Sequence, residues 1–261
     1  MTNIKYFDSD GVKIAYIDLL PLPVSGDTPA RGTILLIHGF ASHIAMNWTA
    51  PGWVDLLRQT GYRVVALDNR GHGHSEKLYE PAAYEPTEMA EDARRLLDHL
   101  GIARADVMGY SMGARITAFL AIRHPERIRR IVFGGLGINM VRGMAGTGPI
   151  AHALEAPTID DVTNPTARTF RAFAEQTKSD LKALATCIRS SRAKLTAEAV
   201  ATIAHPVLVA VGEHDVIAGD PGALAAIMPN ARAFVIPGRE HMKAVGDKAY
   251  KDAVLGFLGE P

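Results

Sequence analysis

The chain is predicted to fold as an α/β protein with a mostly parallel sheet flanked by helices, and three observations carry that expectation. Short apolar runs rich in β-branched residues alternate with helical patterns along most of the sequence. Several of these runs are apolar throughout, as strands covered on both faces must be. One of them passes straight into a helix through Val107-Met108-Gly109-Tyr110-Ser111-Met112-Gly113, a serine between two glycines.

Taken in order, the strands are expected at Lys13–Asp18, Thr33–Ile37, Arg63–Leu67, Asp106–Met108, Arg130–Phe133, Val207–Val211 and Ala233–Ile236. Helices are expected at Trp48–Thr60, Thr87–Leu100, Met112–Arg123, Pro221–Met228 and Lys243–Leu258. The third helix is the clearest: Ala114, Ile116, Ala118, Phe119, Leu120 and Ile122 give a largely buried face, and His124-Pro125 ends it. Between Leu136 and His205 the alternation breaks. A glycine-rich loop containing Gly137, Gly143, Gly146 and Gly148 leads to helical segments at Ala167–Glu175, Ser179–Ser190 and Thr196–Ile203, with no strand pattern. An insertion between two sheet strands sits above the strand ends, where ligands collect in open α/β sheets. The expected division is a core of residues 1–136 and 206–261 and a helical cap of residues 137–205.

Composition narrows the function. The 261 residues are 48% hydrophobic and 21% charged with zero formal net charge, so a substantial core is expected and no basic stripe suggests nucleic acid. Cys187, the single cysteine, excludes an intramolecular disulfide and sits among Leu184, Ala185 and Ile188 as a small buried residue would. Residues 1–10 lack the basic start and apolar core of a secretion signal, and no apolar run reaches membrane-spanning length. A cytoplasmic location and no membrane partner are expected.

The chemistry starts from Ser111. A serine hydroxyl is a weak nucleophile in water, so an enzyme using one must hold it on a sharp turn beside a base. Gly109 and Gly113, lacking a Cβ, leave room for strand and helix to meet around that turn. Asp215 follows the strand ending at Gly212, and His241 follows the strand ending at Ile236. Both lie beyond strand ends on the same edge as Ser111, which makes a Ser-Asp-His arrangement geometrically credible. Among ten histidines, His241 is preferred as the one that follows the final strand. Glu213 and Asp220 compete with Asp215 for the acid. His72 and His74 would need a third ligand to hold a metal, so no metal or cofactor is expected. Asp68 is expected to be structural, pairing with Arg70 across its turn.

With these residues in hand, the chain resembles the α/β-hydrolase superfamily, in its capped serine esterase-like branch, over nearly its whole length. The motifs are Gly109-Tyr110-Ser111-Met112-Gly113, Asp215 and His241 in that chain order, His38-Gly39-Phe40, and Asp68-Asn69-Arg70-Gly71-His72-Gly73-His74-Ser75. The resemblance implies an eight-stranded sheet, an oxyanion hole formed by the backbone N–H groups of Phe40 and Met112, and a role for His38 in shaping that loop. It further implies cleavage of small-molecule carboxylic esters through an acyl-enzyme. Lactone hydrolysis and carbon–carbon bond hydrolysis use the same triad and stay open, as does a non-catalytic ligand-binding role. Candidate pocket residues are Phe40, Leu136, Ile138, Met140, Met144 and Met242, an apolar set suited to a short or medium acyl group. The cap arginines Arg142, Arg168, Arg171, Arg189 and Arg192 are read as solvated, with carboxylate binding as the alternative.

Overall fold

The computed structural model describes residues 3–23, 31–143, 147–190 and 195–260. Eight strands form one sheet: β1 (Lys5–Ser9), β2 (Val12–Leu19), β3 (Gly32–Ile37), β4 (Tyr62–Leu67), β5 (Ala105–Tyr110), β6 (Ile128–Gly134), β7 (Val207–Gly212) and β8 (Ala231–Ile236). Their spatial order is β1-β2-β4-β3-β5-β6-β7-β8. The β1–β2 and β2–β4 pairs are antiparallel and all later pairs parallel.

The seven expected strands all occur, longer by one or two residues at one or both ends. β1 has no counterpart among them. Its signal was the turn that follows: Asp10 at φ 56° and Gly11 at φ 82° form the Asp-Gly corner that two-residue hairpins favour.

The helices are α1 (Trp53–Gln59), α2 (Pro86–His99), α3 (Met112–Arg123), α4 (Asn139–Arg142), α5 (Thr147–Glu155), α6 (Pro165–Gln176), α7 (Leu181–Ser190), α8 (Ala197–Ala201), α9 (Pro221–Ala225), α10 (His241–Ala244) and α11 (Lys248–Leu258). Two expected helices are broken. Trp48–Thr60 divides at Pro51-Gly52 into a π-helical turn, Ala45–Thr49, and α1. Lys243–Leu258 divides where the Asp247 side chain accepts from the Ala249 N–H and starts α11, an N-cap that ends one helix by beginning another. The glycine-rich loop is also partly helical, since α5 begins at Thr147 and includes Gly148; Gly146 lies outside the described residues.

Alternation along the central strands separates two core layers. Leu35, Ile37 and Val107 face one side with Phe119 and Leu120 of α3 and Leu96 and Leu97 of α2. Ile34, Leu36 and Met108 face the other with Trp48, Trp53, Tyr250 and Phe257. A third cluster lies above the strand ends, where Ile150, Leu154, Phe170, Leu184 and Cys187 from the helices between β6 and β7 meet Phe40, Ala41 and Tyr84. Among the described residues, no helix is long and apolar enough to cross a membrane.

Candidate active site

In the order β4-β3-β5-β6 the connections that follow β3 and β5 run to opposite sides, and the crevice outside the carboxyl ends of β3 and β5 is where such sheets bind ligands. Ser111 follows β5 directly, at φ 54° and ψ −113°. For a residue with a Cβ this backbone is strained, and the packing around it leaves no slack. A Cβ at Gly113 would overlap the carbonyl oxygen of Ile37, and one at Gly109 would overlap the carbonyl of Gly113. Strand β3 therefore presses α3 and β5 together around the turn and holds Ser111 at its apex.

β7 and β8 deliver the other two side chains. His241 Nε2 lies 3.0 Å from Ser111 Oγ, and His241 Nδ1 lies 2.7 Å from Asp215 Oδ2. Because a carboxylate can only accept, Nδ1 carries the proton and Nε2 is left to accept from the serine hydroxyl. Asp215 is itself fixed: its Oδ1 accepts from the N–H groups of Ile217 and Ala218, both at 2.9 Å. The competing acids are engaged elsewhere, Glu213 with the Gly238 N–H and Asp220 as the N-cap of α9. Tyr110 was not expected to take part. Its hydroxyl donates to the His241 carbonyl at 2.6 Å, its ring lies 5.7 Å from the imidazole, and burial pushes its phenol well above the usual range, so it stays a donor.

Among the described residues, the backbone N–H groups of Phe40 and Met112 donate to no acceptor. The loop carrying Phe40 is braced from below. The Gly39 N–H donates to Asn47 Oδ1 at 3.0 Å, and His38 accepts the Asn69 N–H at Nε2 (2.9 Å) while Nδ1–H donates to the Gly39 carbonyl (2.7 Å). Burial lowers the pKa of His38 to about 3, so the imidazole is neutral and can serve both bonds. His72 is likewise lowered to about 3 by burial, then by its proximity to His38; its ring stacks edge-on against Phe40 at 5.7 Å.

Asp68 is structural, but not through Arg70. Its carboxylate accepts from the N–H groups of Ile44 and His74, each at 2.7 Å, whereas Arg70 forms a buried bidentate pair with Asp92 at 2.7 and 2.8 Å. Two backbone donors in reach satisfied the aspartate, and the guanidinium found a planar partner on α2.

A cavity of about 80 Å³ opens beside Ser111, lined by Gly39, Phe40, Ser42, Met46, Asn47, Tyr110, Phe170, Phe173, His241, Met242 and Val245. Phe40 and Met242 were expected there. Leu136, Ile138 and Met140 are not among the lining: Met140 is buried in the core cluster beneath the sheet with Leu136 against it, and Ile138 packs at Gly219. The short turn after β6 carries them toward β7 and α3 instead of over the serine, as the Arg115 side chain's bond to the Met140 carbonyl marks. Met144 lies outside the described residues. Phe170 and Phe173, which replace them, sit one turn apart on α6, a spacing that also describes an ordinary buried face.

None of the described arginines between β6 and β7 lines the cavity. Arg168 pairs with Asp160, Arg171 with Glu175 and the Ala153 and Ala156 carbonyls, and Arg189 with Glu155, while Arg142 is exposed. Arg192 lies outside the described residues. Cys187 is buried, which raises its thiol to about 12. No group of three or more metal-ligating side chains occurs among the described residues.

Set beside known proteins, residues 32–146 match a family model described as the alpha/beta hydrolase fold. The chain is 38% identical over 106 residues to a 2-hydroxymuconate semialdehyde hydrolase of Pseudomonas putida, a match covering 40% of this chain and 37% of that one. It thus spans less than half the length of that relative. Two solved structures align almost end to end. A hydrolase from Pseudomonas aeruginosa PA01 is 26% identical with a TM-score of 0.73, covering 99% of both chains. The enol-lactonase from Burkholderia xenovorans LB400 is 25% identical with a TM-score of 0.76, covering 98% of this chain and all of that one. Strand order, elbow and these matches agree, and the chain has the α/β-hydrolase fold.

Proposed function

We propose that the chain is a serine hydrolase that cleaves carboxylic ester bonds of small, uncharged substrates through an acyl-enzyme. The observation that carries this reading is the unbroken series from Asp215 through His241 to Ser111, 2.7 and 3.0 Å, beside two backbone amides that bond no acceptor among the described residues. His241 Nε2 takes the hydroxyl proton as Ser111 Oγ attacks the ester carbonyl, and the N–H groups of Phe40 and Met112 receive the oxyanion. The alcohol leaves with the proton returned from His241. Water, deprotonated by the same nitrogen, then attacks the acyl-serine, releasing the acid and restoring the hydroxyl. Asp215 holds the imidazole in the productive tautomer throughout.

A serine at the elbow selects acyl transfer, since it cannot displace at carbon as a carboxylate nucleophile does. Lactones fall within the same chemistry. Carbon–carbon cleavage of acidic substrates fits less well, because no cationic side chain lines the described cavity.

A fluorophosphonate probe and a panel of nitrophenyl esters, lactones and vinylogous diketones test the proposal. Stoichiometric labelling at Ser111 and ester turnover are expected, with Ser111→Ala abolishing labelling and lowering kcat by at least about 10⁴-fold. A folded protein inert to the probe would mark a binding module, and full turnover by Ser111→Ala would remove the serine from the mechanism.

A further inference from the structure

Asn47 lines the cavity, and half of its side chain has no use in the acyl transfer described above. It lies in the π-helical turn Ala45–Thr49, closed by the Ala50 N–H on the Ala45 carbonyl at 2.8 Å. Such turns are rare and recur at functional sites. The orientation of the amide is set by its partner: Oδ1 accepts the Gly39 N–H, so the opposite corner is the Nδ2 group with two hydrogens to donate. That group is buried and has no acceptor among the described residues. Trp48 Nε1 and Thr49 Oγ1 on the same turn are in the same condition, yet of the three only Asn47 reaches the cavity wall. A buried donor left unpaired is costly, and a group that stays in that state is poised for a partner that arrives later.

The position is close to the reaction. A Cβ built on Gly39 would stand 3.4 Å from Ser111 Cβ and 3.7 Å from Asn47 Oδ1, so one glycine separates the amide from the nucleophile. Phe40, Met46, Phe170, Phe173, Met242 and Val245 make the surrounding wall apolar. Tyr110 spends its hydroxyl on the His241 carbonyl. Apart from Ser111 and His241, Ser42 is the other polar side chain there, and a hydroxyl that both donates and accepts selects less than a fixed amide donor.

We propose that Asn47 Nδ2 donates to an oxygen in the acyl part of the substrate, so that the chain prefers esters whose acyl group carries an ether, hydroxyl or carbonyl oxygen close to the scissile carbonyl. This rests on the ester-hydrolase reading. A site built to hydrogen-bond one substrate oxygen discriminates strongly against the analogue that lacks it, because the analogue leaves the buried donor unpaired.

Two isosteric ester pairs test it: 4-nitrophenyl methoxyacetate against butanoate, and 4-nitrophenyl 3-methoxypropanoate against pentanoate. Each kcat/KM is divided by the rate constant for hydroxide hydrolysis, which removes intrinsic reactivity. The full chain is expected to favour the oxygen analogue of at least one pair by about tenfold or more after that correction. In Asn47→Ala, and in Asn47→Asp, which keeps an oxygen for the Gly39 N–H but no donor, the corrected ratio should fall to near unity. If Asn47 only braces the loop, both esters slow alike and the ratio stays, which overturns the proposal. A corrected ratio near unity in the unmodified chain overturns it without any variant, so a variant that fails to fold leaves the test intact. Fluorophosphonate labelling of Ser111 without oxygen preference sinks the Asn47 role alone; no labelling and no ester turnover sink the hydrolase reading with it.

Discussion

Two residues of this chain share a backbone dihedral and nothing else: Ser111 at the elbow and Lys178 in the helical insertion both sit at φ 54°. At Lys178 the chain is ending a helix. The Lys178 N–H bonds the Glu175 carbonyl at 3.0 Å and the Ser179 N–H bonds the Ala174 carbonyl at 2.9 Å, the pair of bonds that defines a Schellman stop after α6. The left-handed residue there satisfies two carbonyls that would otherwise be orphaned, and glycine would do it at lower cost. At Ser111 the same φ comes with ψ −113°, outside the left-handed helical well, and is imposed by three elements converging on the turn. Strain in the insertion closes a helix locally, whereas strain at the elbow is enforced by tertiary packing and exposes a hydroxyl.

The harshest way to break that contrast is Gly113→Ala. The new methyl would overlap the carbonyl oxygens of Ile37 and His38, which belong to β3 and the loop below Phe40 and have no room to retreat. Thermal melting should show no cooperative unfolding under conditions where the unmodified chain gives one, because the backbone clash sits where strand, elbow and helix share space. A folded Gly113→Ala protein with an intact melt would mean that the elbow is looser than the close approach of β3 and α3 implies.

Acid provides the next largest effect, and it again separates the two regions. His38 and His72 are buried beneath the Phe40 loop with pKa lowered by burial to about 3, against an ordinary value of 6.5. In the unfolded chain both take protons as pH falls through 6.5; in the folded chain neither does until far lower. Their stabilising contribution is therefore complete above 6.5 and lost progressively as pH drops toward 3, at about 1.4 kcal/mol per pH unit for each. The one histidine of the described helices between β6 and β7, His152, is exposed. Urea unfolding followed by the fluorescence of Trp48 and Trp53, both fully buried in the core, should give a slope of about 2–3 kcal/mol per pH unit between about pH 6 and 5, above the carboxylate range, with His43, also lowered by burial, adding to the two. His72→Asn keeps a donor for the Arg70 carbonyl, which the ring Nδ1 serves at 3.0 Å, but cannot titrate, and should lower the slope by about 1 kcal/mol per pH unit. Stability independent of pH across that window would contradict the buried neutral pair.

The same division explains what could be read in advance. Strands β2 to β8, α3 and the convergence of Ser111, Asp215 and His241 follow from signals written locally: apolar runs, a glycine on either side of a serine, and an acid or a histidine just past a strand end. The cavity wall does not. Phe170 and Phe173 reach it because α6 lies across the Phe40 loop, with ring centroids of Phe40 and Phe170 6.0 Å apart, and the way one helix lies on another leaves no mark in periodicity. Leu136, Ile138 and Met140 were expected at the site for the converse reason. They follow β6 in sequence, but the turn takes Met140 into the core with Leu136 against it and Ile138 to Gly219. Asp68 and Arg70 are neighbours in sequence whose partners, Ile44, His74 and Asp92, are chosen by the fold.

The smallest effect sharpens the contrast from the other side, by relieving strain where none is needed. In Lys178→Gly both bonds of the helix stop are kept, since each uses backbone atoms, and the left-handed residue no longer carries a Cβ. The gain should be about 0.5–1 kcal/mol, partly offset by the greater freedom of glycine in the unfolded chain, and a chain of this size should melt roughly 1–4 °C higher. Ester turnover should be unchanged, because Lys178 does not line the cavity. Ser111→Gly relieves the same kind of strain and removes the hydroxyl, so it should stabilise the fold while abolishing turnover. A chain stabilised by both substitutions but inactivated by only one locates the functional strain at the elbow; a destabilised Lys178→Gly protein would show that the lysine side chain contributes more to that corner than its backbone costs.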